Sequence, residues 1–273
     1  MYNKVIFSAI FCCLFGSLRA QREGSFRTTF DDSTLREQSD LTLMPFNRLV
    51  HSAGRVISFG DPRQENHALD FSVLPDGEHI AVEDRYGVAV LDRATQTIVH
   101  RWTFRNDPEV RSLMSTYCGI KSFVYNGQTY VVWGAGSTHS SALMIAEWSS
   151  GGFGKVSSMT LSAVAPAAAA LPNDIAVRVE DGVTFLYVVL NGNNQLVKIK
   201  FPDREVTWTA ATGVAPYGVR VIGQKVYVTN WAGPLVTDTS LEHAGTPWGS
   251  AYTSPVTGGT ARGSLSVIDA SNG

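Results

Sequence analysis

GVAPYGVRVIGQKVYVTNW, residues 213–231, decides the fold. Pro216 and Gly218 mark a turn, Val219–Ile222 and Lys225–Asn230 read as strands, and Gly223-Gln224 joins them. A two-residue loop with Gly between two such runs predicts a β-hairpin, because Gly supplies the positive φ that the loop needs. The same phrase recurs upstream. Its second-strand cores are IAVED (80–84), YVVWG (130–134), LYVVLN (186–191) and VYVTN (226–230). Its third-strand cores are VAVLD (88–92), ALMIAE (142–147), LVKIK (196–200) and LSVID (265–269). Copies of four short strands at a period of roughly 40–50 residues predict an all-β protein, a β-propeller of four-stranded antiparallel blades. Such a blade has two apolar faces and cannot bury them alone, whereas radial stacking buries both.

Working outward, the first copy opens near Asn66, with strands at Ala68–Val73, His79–Glu83, Gly87–Leu91 and Ile98–Phe104. Its Pro75-Asp76-Gly77 turn has Pro presetting φ and Gly taking the positive φ. The second copy follows Cys118, with Gly119–Tyr125, an Asn126-Gly127 turn, Thr129–Trp133, Ala142–Trp148 and Lys155–Leu161. Ala165–Leu171 (APAAAAL) reads as a connector, since so short a run ending at Pro172 does not sustain a helix. The third copy runs from Pro172 through Asp174–Val179, Phe185–Leu190, Gln195–Lys200 and Glu205–Ala210. In the fourth, Ser264–Asp269 arrives only after a long excursion at 232–263, rich in Gly, Pro, Thr and Ser. That length suits a functional or partner-facing loop as well as a plain surface insertion. Asp40–Val50 and Gly54–Phe59 read as two leading strands ahead of the repeats. The chain ends directly after a third strand, where a fourth is due. The propeller at 41–273 therefore reads as incomplete: about four blades plus leading strands, the N-terminal part of a longer protein.

Composition narrows the function classes. The 273 residues are 44% hydrophobic and 17% charged with net charge -2, which marks a globular chain. No clustered Lys/Arg predicts a nucleic-acid partner. Residues 1–20 read as a secretory signal peptide: Lys4 precedes an apolar run through Leu18, and Ala20 precedes the cut. This predicts a periplasmic or secreted protein, with no membrane association after cleavage. Residues 21–40 read as a flexible mature N-terminus. Cys12 and Cys13 leave with the signal, so Cys118 remains alone and reads as a buried structural thiol.

No catalytic constellation stands out. The six histidines form neither H-x-H nor H-E-x-x-H, and no Cys pair offers a zinc site. No G-x-S-x-G elbow occurs. Glu83-Asp84-Arg85 reads as a charged loop, because strand neighbours face opposite sides. His79 and His100 read as surface residues of strands. Tyr125, Tyr130, Trp133, Trp148 and Trp208 read as inter-blade packing. No cofactor, metal or catalytic residue is assigned. In a propeller the inner strand comes first in each blade, so its start and the loop after the second strand line one mouth of the channel. That places Asn66, His67, Asn173, Asp174, Asn191, Tyr217, Asn230 and Trp231 there as candidate ligand contacts. Their competing role is to tie turns through local hydrogen bonds.

VYVTN at 226–230, preceded by Ala215-Pro-Tyr-Gly218 and followed by Ser264–Asp269, resembles the YVTN-type (YncE-like) β-propeller repeat. Pro172-Asn173-Asp174 and Asn193-Asn194-Gln195-Leu196 are similar to it too. The resemblance covers about Asn66 to Gly273. The first two copies depart from it, with Glu83-Asp84 and Gly134 where the motif has Asn. It implies a ring of usually about seven blades. The 232–263 excursion also resembles exported bacterial proteins in which such a propeller precedes an alkaline-phosphatase-like phosphoesterase domain. The resemblance therefore implies a binding or scaffold module in a larger phosphoesterase, linked covalently to a domain beyond Gly273. The alternative is a lactonase-like or quinoprotein-like propeller enzyme with its site in the central channel.

Overall fold

Along the second strands of the two middle copies the apolar residues run almost without interruption, because a blade with neighbours on both sides buries both faces and successive side chains alternate between them. The computed structural model describes residues 41–44, 48–51, 53–60, 66–149, 151–246, 249–260 and 262–273. The expected signal peptide (1–20) and N-terminal segment (21–40) lie outside the described residues. Contacts divide the chain into two units, Met1–Ile57 and Ser58–Gly273. In the first unit, β1 (Leu41–Met44) and β2 (Arg48–His51) form an antiparallel hairpin, with Leu41 opposite His51. The stretch expected as one leading strand is therefore a hairpin, and 54–59 forms no strand.

The second unit is a β-propeller of four antiparallel blades. Blade 1 is β3 (Ala68–Val73), β4 (His79–Asp84), β5 (Gly87–Asp92) and β6 (Thr97–Thr103), paired in that order. Blade 2 has a split inner strand, β7 (Met114–Ser115) and β8 (Lys121–Tyr125), both paired to β9 (Gln128–Gly136). Outside β9 lie β10 (Ser141–Ser149) and β11 (Gly152–Thr160). Blade 3 is β12 (Pro172–Glu180), β13 (Val183–Leu190), β14 (Gln195–Phe201) and β15 (Glu205–Ala211). Blade 4 is β16 (Pro216–Ile222), β17 (Lys225–Asn230) and β20 (Ser264–Asp269). The excursion between β17 and β20 is not structureless. It carries the hairpin β18 (His243–Thr246) and β19 (Gly249–Tyr252), and its Ala251 packs with Val214, Ala215 and Ala232.

Each core lies between two blades. Val131, Trp133 and Ala135 of β9 face blade 1, where they meet Ala81, Val88 and Val90, whereas Val132 faces blade 3. Leu186, Val188 and Leu190 of β13 face blade 2, and Tyr187 and Val189 face blade 4. Trp133 is fully buried, with Trp102 edge-on at 5.4 Å. His79 and His100, expected at the surface, belong to the seam between blades 1 and 2. His79 meets the Trp148 ring at 5.3 Å and His100 meets Phe153 at 5.1 Å. The His100 Nε2 accepts a hydrogen bond from Phe153 N at 3.3 Å, and desolvation lowers its pKa. A strand pattern shows which way a side chain points, not whether another blade covers it.

The Asn126-Gly127 hairpin has φ of 48° and 78°, the two positive values that a type I′ turn needs. A Cβ at Gly127 would meet nothing within 4 Å, so the cost of Gly127→Ala is conformational alone. Urea denaturation should show a loss of about 1 kcal/mol. A loss below a few tenths would mean that the turn relaxes to another form.

Candidate binding face at the inner-strand starts

One backbone hydrogen bond repeats at the same end of three blades. Arg85 N donates to His67 O at 3.1 Å, Asn191 N to Leu171 O at 2.9 Å, and Trp231 N to Ala215 O at 3.0 Å. Each joins the residue after a second strand to a residue just before or at the head of an inner strand. Arg85, Asn191 and Trp231 are thus equivalent positions of the repeat. Leu171 and Ala215 match as well, both at positive φ (50° and 53°) ahead of a proline. Sequence reading nominated Asn191 and Trp231 but missed Arg85. The alignment of IAVED with VYVTN already pointed to it, since Arg85 follows the first core as Trp231 follows the last.

The eight nominated residues divide by role. Asn191 is buried and donates from Nδ2 to Pro216 O at 2.9 Å, joining blade 3 to blade 4. Asn230 is buried and its Nδ2 reaches Ser264 Oγ and Ser266 Oγ, both at 3.0 Å. Asp174 is buried beneath the face. Its Oδ1 accepts from Ile175 N and its Oδ2 from Val219 N, at 2.9 and 3.0 Å. These three are ties within the frame. Asn173 is also buried, and its side-chain amide has no hydrogen-bond partner among the described residues. Asn66 is half-buried and accepts from Arg101 at 3.4 Å. Only His67 and Trp231 are exposed, and Tyr217 is half-buried. The Tyr217 and Trp231 rings stack 4.0 Å apart at 13°.

Beneath this face a chain of alternating charge links the inner strands. Asp70 of β3 faces Lys121 of β8 at 3.7 Å, and Lys121 reaches Asp174 of β12 at 3.1 Å. Asp174 then pairs with Arg220 of β16 at 2.8 Å. Asp70 repeats the role of Asp174, accepting from Phe71 N at 2.8 Å and from Gly119 N of the next blade at 3.0 Å. A Cβ at Gly119 would lie 2.2 Å from Asn173 O, so blades 2 and 3 approach here as only glycine allows.

Glu83 and Asp84 are not a charged loop. They are the last two residues of β4, and both are fully buried. Asp84 is satisfied by Arg101 at 3.0 Å and Tyr86 N at 2.6 Å. Among the described residues neither carboxyl oxygen of Glu83 has a hydrogen-bond partner within normal geometry, although the Ser115 hydroxyl lies beside it. Burial pushes the Glu83 carboxyl well above the usual range. Asp70 and Asp84 push the same way, while Ser115 and Lys121 oppose them. The Cys118 thiol is likewise raised, to about 12, by burial and by Asp174, so it is inert as a nucleophile. Tyr217, beside that thiol, is raised to about 12 by burial and by Cys118, with smaller contributions from Asp70 and Tyr117.

Beside Tyr117 a cleft of about 560 Å³ opens between the rims of blades 1 and 2 and reaches Leu171 ahead of blade 3. Leu69, Met114 and Leu171 give it an apolar lining, and His67 and Arg85 stand at it. Among the described residues no group of three or more His, Cys, Asp or Glu is arranged to hold a metal ion.

No protein-family model matches the chain, and no curated protein matches it. Solved structures are similar to it at low identity. The Cps50 (Swd1) β-propeller domain of Myceliophteria thermophila is 12% identical, covering 77% of this chain and 62% of that one, with a TM-score of 0.42. Kuenenia stuttgartiensis hydrazine synthase is 13% identical over 59% of this chain and 55% of that one, at 0.40. BamB from Moraxella catarrhalis is 13% identical over 64% and 59%, at 0.35. The chain thus spans between 55% and 62% of the length of these structures. It is by its own blade order and register that the second unit is a β-propeller.

Proposed function

We propose that this propeller is a binding module that takes a small ligand on the face where its inner strands begin. One observation carries the reading. The cleft, the exposed Tyr117 at its edge and the stacked Tyr217–Trp231 pair lie on the same end of the blades, where the inner strands begin. Apolar concavities of roughly 300–1,000 Å³ with a few placed polar groups are the usual form of small-molecule sites. Exposed aromatic rings add area at low entropic cost.

Met114 gives a direct reporter, because it lines the cleft while Met144 is buried in the seam between blades 1 and 2. In protein carrying labelled methionine methyls, a panel of small aliphatic and aromatic compounds should shift the Met114 signal and leave Met144 in place. Tyr117→Ala should weaken that binding at least tenfold. It should change stability by no more than about 0.5 kcal/mol, since the side chain is exposed. A panel that leaves Met114 unmoved at millimolar concentration would defeat the reading.

The wider role follows the repeat resemblance: an exported scaffold that holds ligand for a phosphoesterase domain further along the same polypeptide. Its support is the VYVTN repeat with the 232–263 excursion. N-terminal sequencing of the exported protein, and p-nitrophenyl phosphate hydrolysis by the full-length gene product, test the two halves of that proposal separately.

A further inference from the structure

A second cleft, of about 250 Å³, opens in the seam between blades 2 and 3. It lies at the end of the blades away from the inner-strand starts, beside the start of β9 and the turn between β14 and β15. Register builds it. Tyr130 of β9 stands opposite Glu147 of β10, and Ile145 stands opposite Ser157 of β11. Cross-strand partners share a face, so all four side chains look toward blade 3. There Phe201 meets the Tyr130 ring edge-on at 4.9 Å. The β10–β11 register shifts between Ala146 and Trp148, and the side chains at that bulge, Glu147 and Lys155, are exposed. Arg204 enters from blade 3. Its guanidinium donates to Ser157 Oγ at 2.6 Å and to Ser158 O at 3.1 Å, which fixes it across the seam. Its other three N–H donors have no partner among the described residues. The Tyr130 hydroxyl donates to Glu147 Oε1 at 3.4 Å, and burial together with Glu147 raises its pKa, so it stays a donor. The cleft therefore joins an apolar wall to one anion and two cations. Among the described residues none of these three charges is ion-paired, whereas the neighbouring Lys200 and Asp203 pair with each other at 2.6 Å.

A ligand of one charge would meet both signs in this cleft. A ligand that carries both, on a short apolar body, gives each of them a partner. The volume equals roughly eight waters at about 30 Å³ each, room for one amino acid and not for a peptide. We propose that this cleft binds a free α-amino acid with an apolar side chain. Its carboxylate sits on Lys155 and Arg204, its ammonium on Glu147, and its side chain against Tyr130, Ile145 and Phe201. The site is separate from the binding face at the inner-strand starts and does not rest on it.

L-leucine, N-acetyl-L-leucine and L-leucinamide share a side chain, but the second lacks the ammonium and the third the carboxylate. Met159 reports on the cleft, because it packs in the same seam two residues beyond Ser157. In protein carrying labelled methionine methyls, L-leucine should shift the Met159 signal and leave Met114 and Met144 in place. Calorimetry should show each blocked analogue binding at least about tenfold more weakly than L-leucine. Glu147→Gln should remove the preference over N-acetyl-L-leucine, and Lys155→Gln should reduce the preference over L-leucinamide. Both side chains are exposed, so both variants should fold, with an unchanged Met144 signal as the check. L-leucine binding should also weaken as salt is raised. If either analogue binds the wild type as tightly as L-leucine, the charge that it lacks is not read and the zwitterionic class is wrong. No calorimetric binding of L-leucine, or binding that leaves Met159 unmoved, overturns the site. The binding face at the other end is read at Met114, so either proposal can fail alone.

Discussion

Replacing Glu83 by Gln should abolish a fall in stability that the wild-type protein shows as pH rises. Glu83 is fully buried, its carboxyl oxygens lack well-formed hydrogen bonds among the described residues, and desolvation raises its pKa well above 4.5 although the Ser115 hydroxyl beside it acts the other way. In the unfolded chain the same group ionises near its ordinary value. Between the two values the unfolded state has lost a proton that the folded state keeps. Stability is therefore fully present below about pH 4.5 and declines as pH rises toward the folded value. One linked proton gives a limiting slope of about 1.4 kcal/mol per pH unit. The groups that face the carboxyl are Asp70 on β3, Asp84 on its own strand, Lys121 on β8 and the nearby Cys118. His100 contributes the opposite sign: its depressed pKa adds stability that is lost as pH falls. The difference between wild type and Glu83→Gln isolates the one group. In urea denaturation at rising pH from 5, the wild type should lose stability relative to Glu83→Gln until the folded-state value is passed. Parallel profiles would mean that Glu83 is ionised in the fold.

The blades were legible because their physics is local. Two-residue turns with Gly, alternating runs and a recurring period need no knowledge of the partner strand, and the second and third strands lie where the pattern puts them. The inner strand of blade 2 shows the limit. Gly119–Tyr125 reads as one strand, yet pairing begins at Lys121 and a separate two-residue piece, Met114–Ser115, completes the edge. Two residues are too short to carry a period. The hairpin inside the excursion was hidden for a different reason. Its strands are built from Gly, Ala, Thr and Ser, and a turn-rich composition masks pairing that depends on what the loop packs against.

The candidate site was legible in place and not in role. Residues at the inner-strand starts do gather at one end of the blades, as a propeller's order requires. Which of them face outward depends on contacts between blades, which no single strand encodes. Asn191 and Asn230 are amides that tie the frame, whereas Arg85 faces the cleft, although all lie at or beside the same repeat junction. Glu83 is the sharper case. Period two places Glu83 and Asp84 on opposite faces of β4, and in a solvated sheet one of them would meet water. Glu83 shares the face of Ala81, which blade 2 covers, and Asp84 on the other face lies under Arg101 of β6, so both carboxyls are buried.

Asp174→Ala should be among the most destabilising single changes at this end of the protein, at about 3–5 kcal/mol. The buried carboxylate serves three blades at once. It accepts two backbone N–H groups, Ile175 in its own strand and Val219 in blade 4, and it meets Lys121 of blade 2 and Arg220 of blade 4. Removing it strands buried donors, each costing about 1–3 kcal/mol, and leaves a half-buried ammonium without its closest acid. Asp174→Asn keeps both amide contacts and should lose clearly less. Arg220→Ala should cost under about 1 kcal/mol, because the Arg220 side chain is 69% exposed and solvent screens its pair. Guanidinium titration of the three variants orders them directly. The expected order, with Asp174→Ala worst and Arg220→Ala nearly neutral, identifies Asp174 as a clamp between blades. The reverse pattern is Asp174→Ala folding with nearly wild-type stability while the Met114 methyl no longer responds to the panel of small aliphatic and aromatic compounds. It would return Asp174 to the ligand contacts among which its position first placed it, and would make the charge chain part of the binding face.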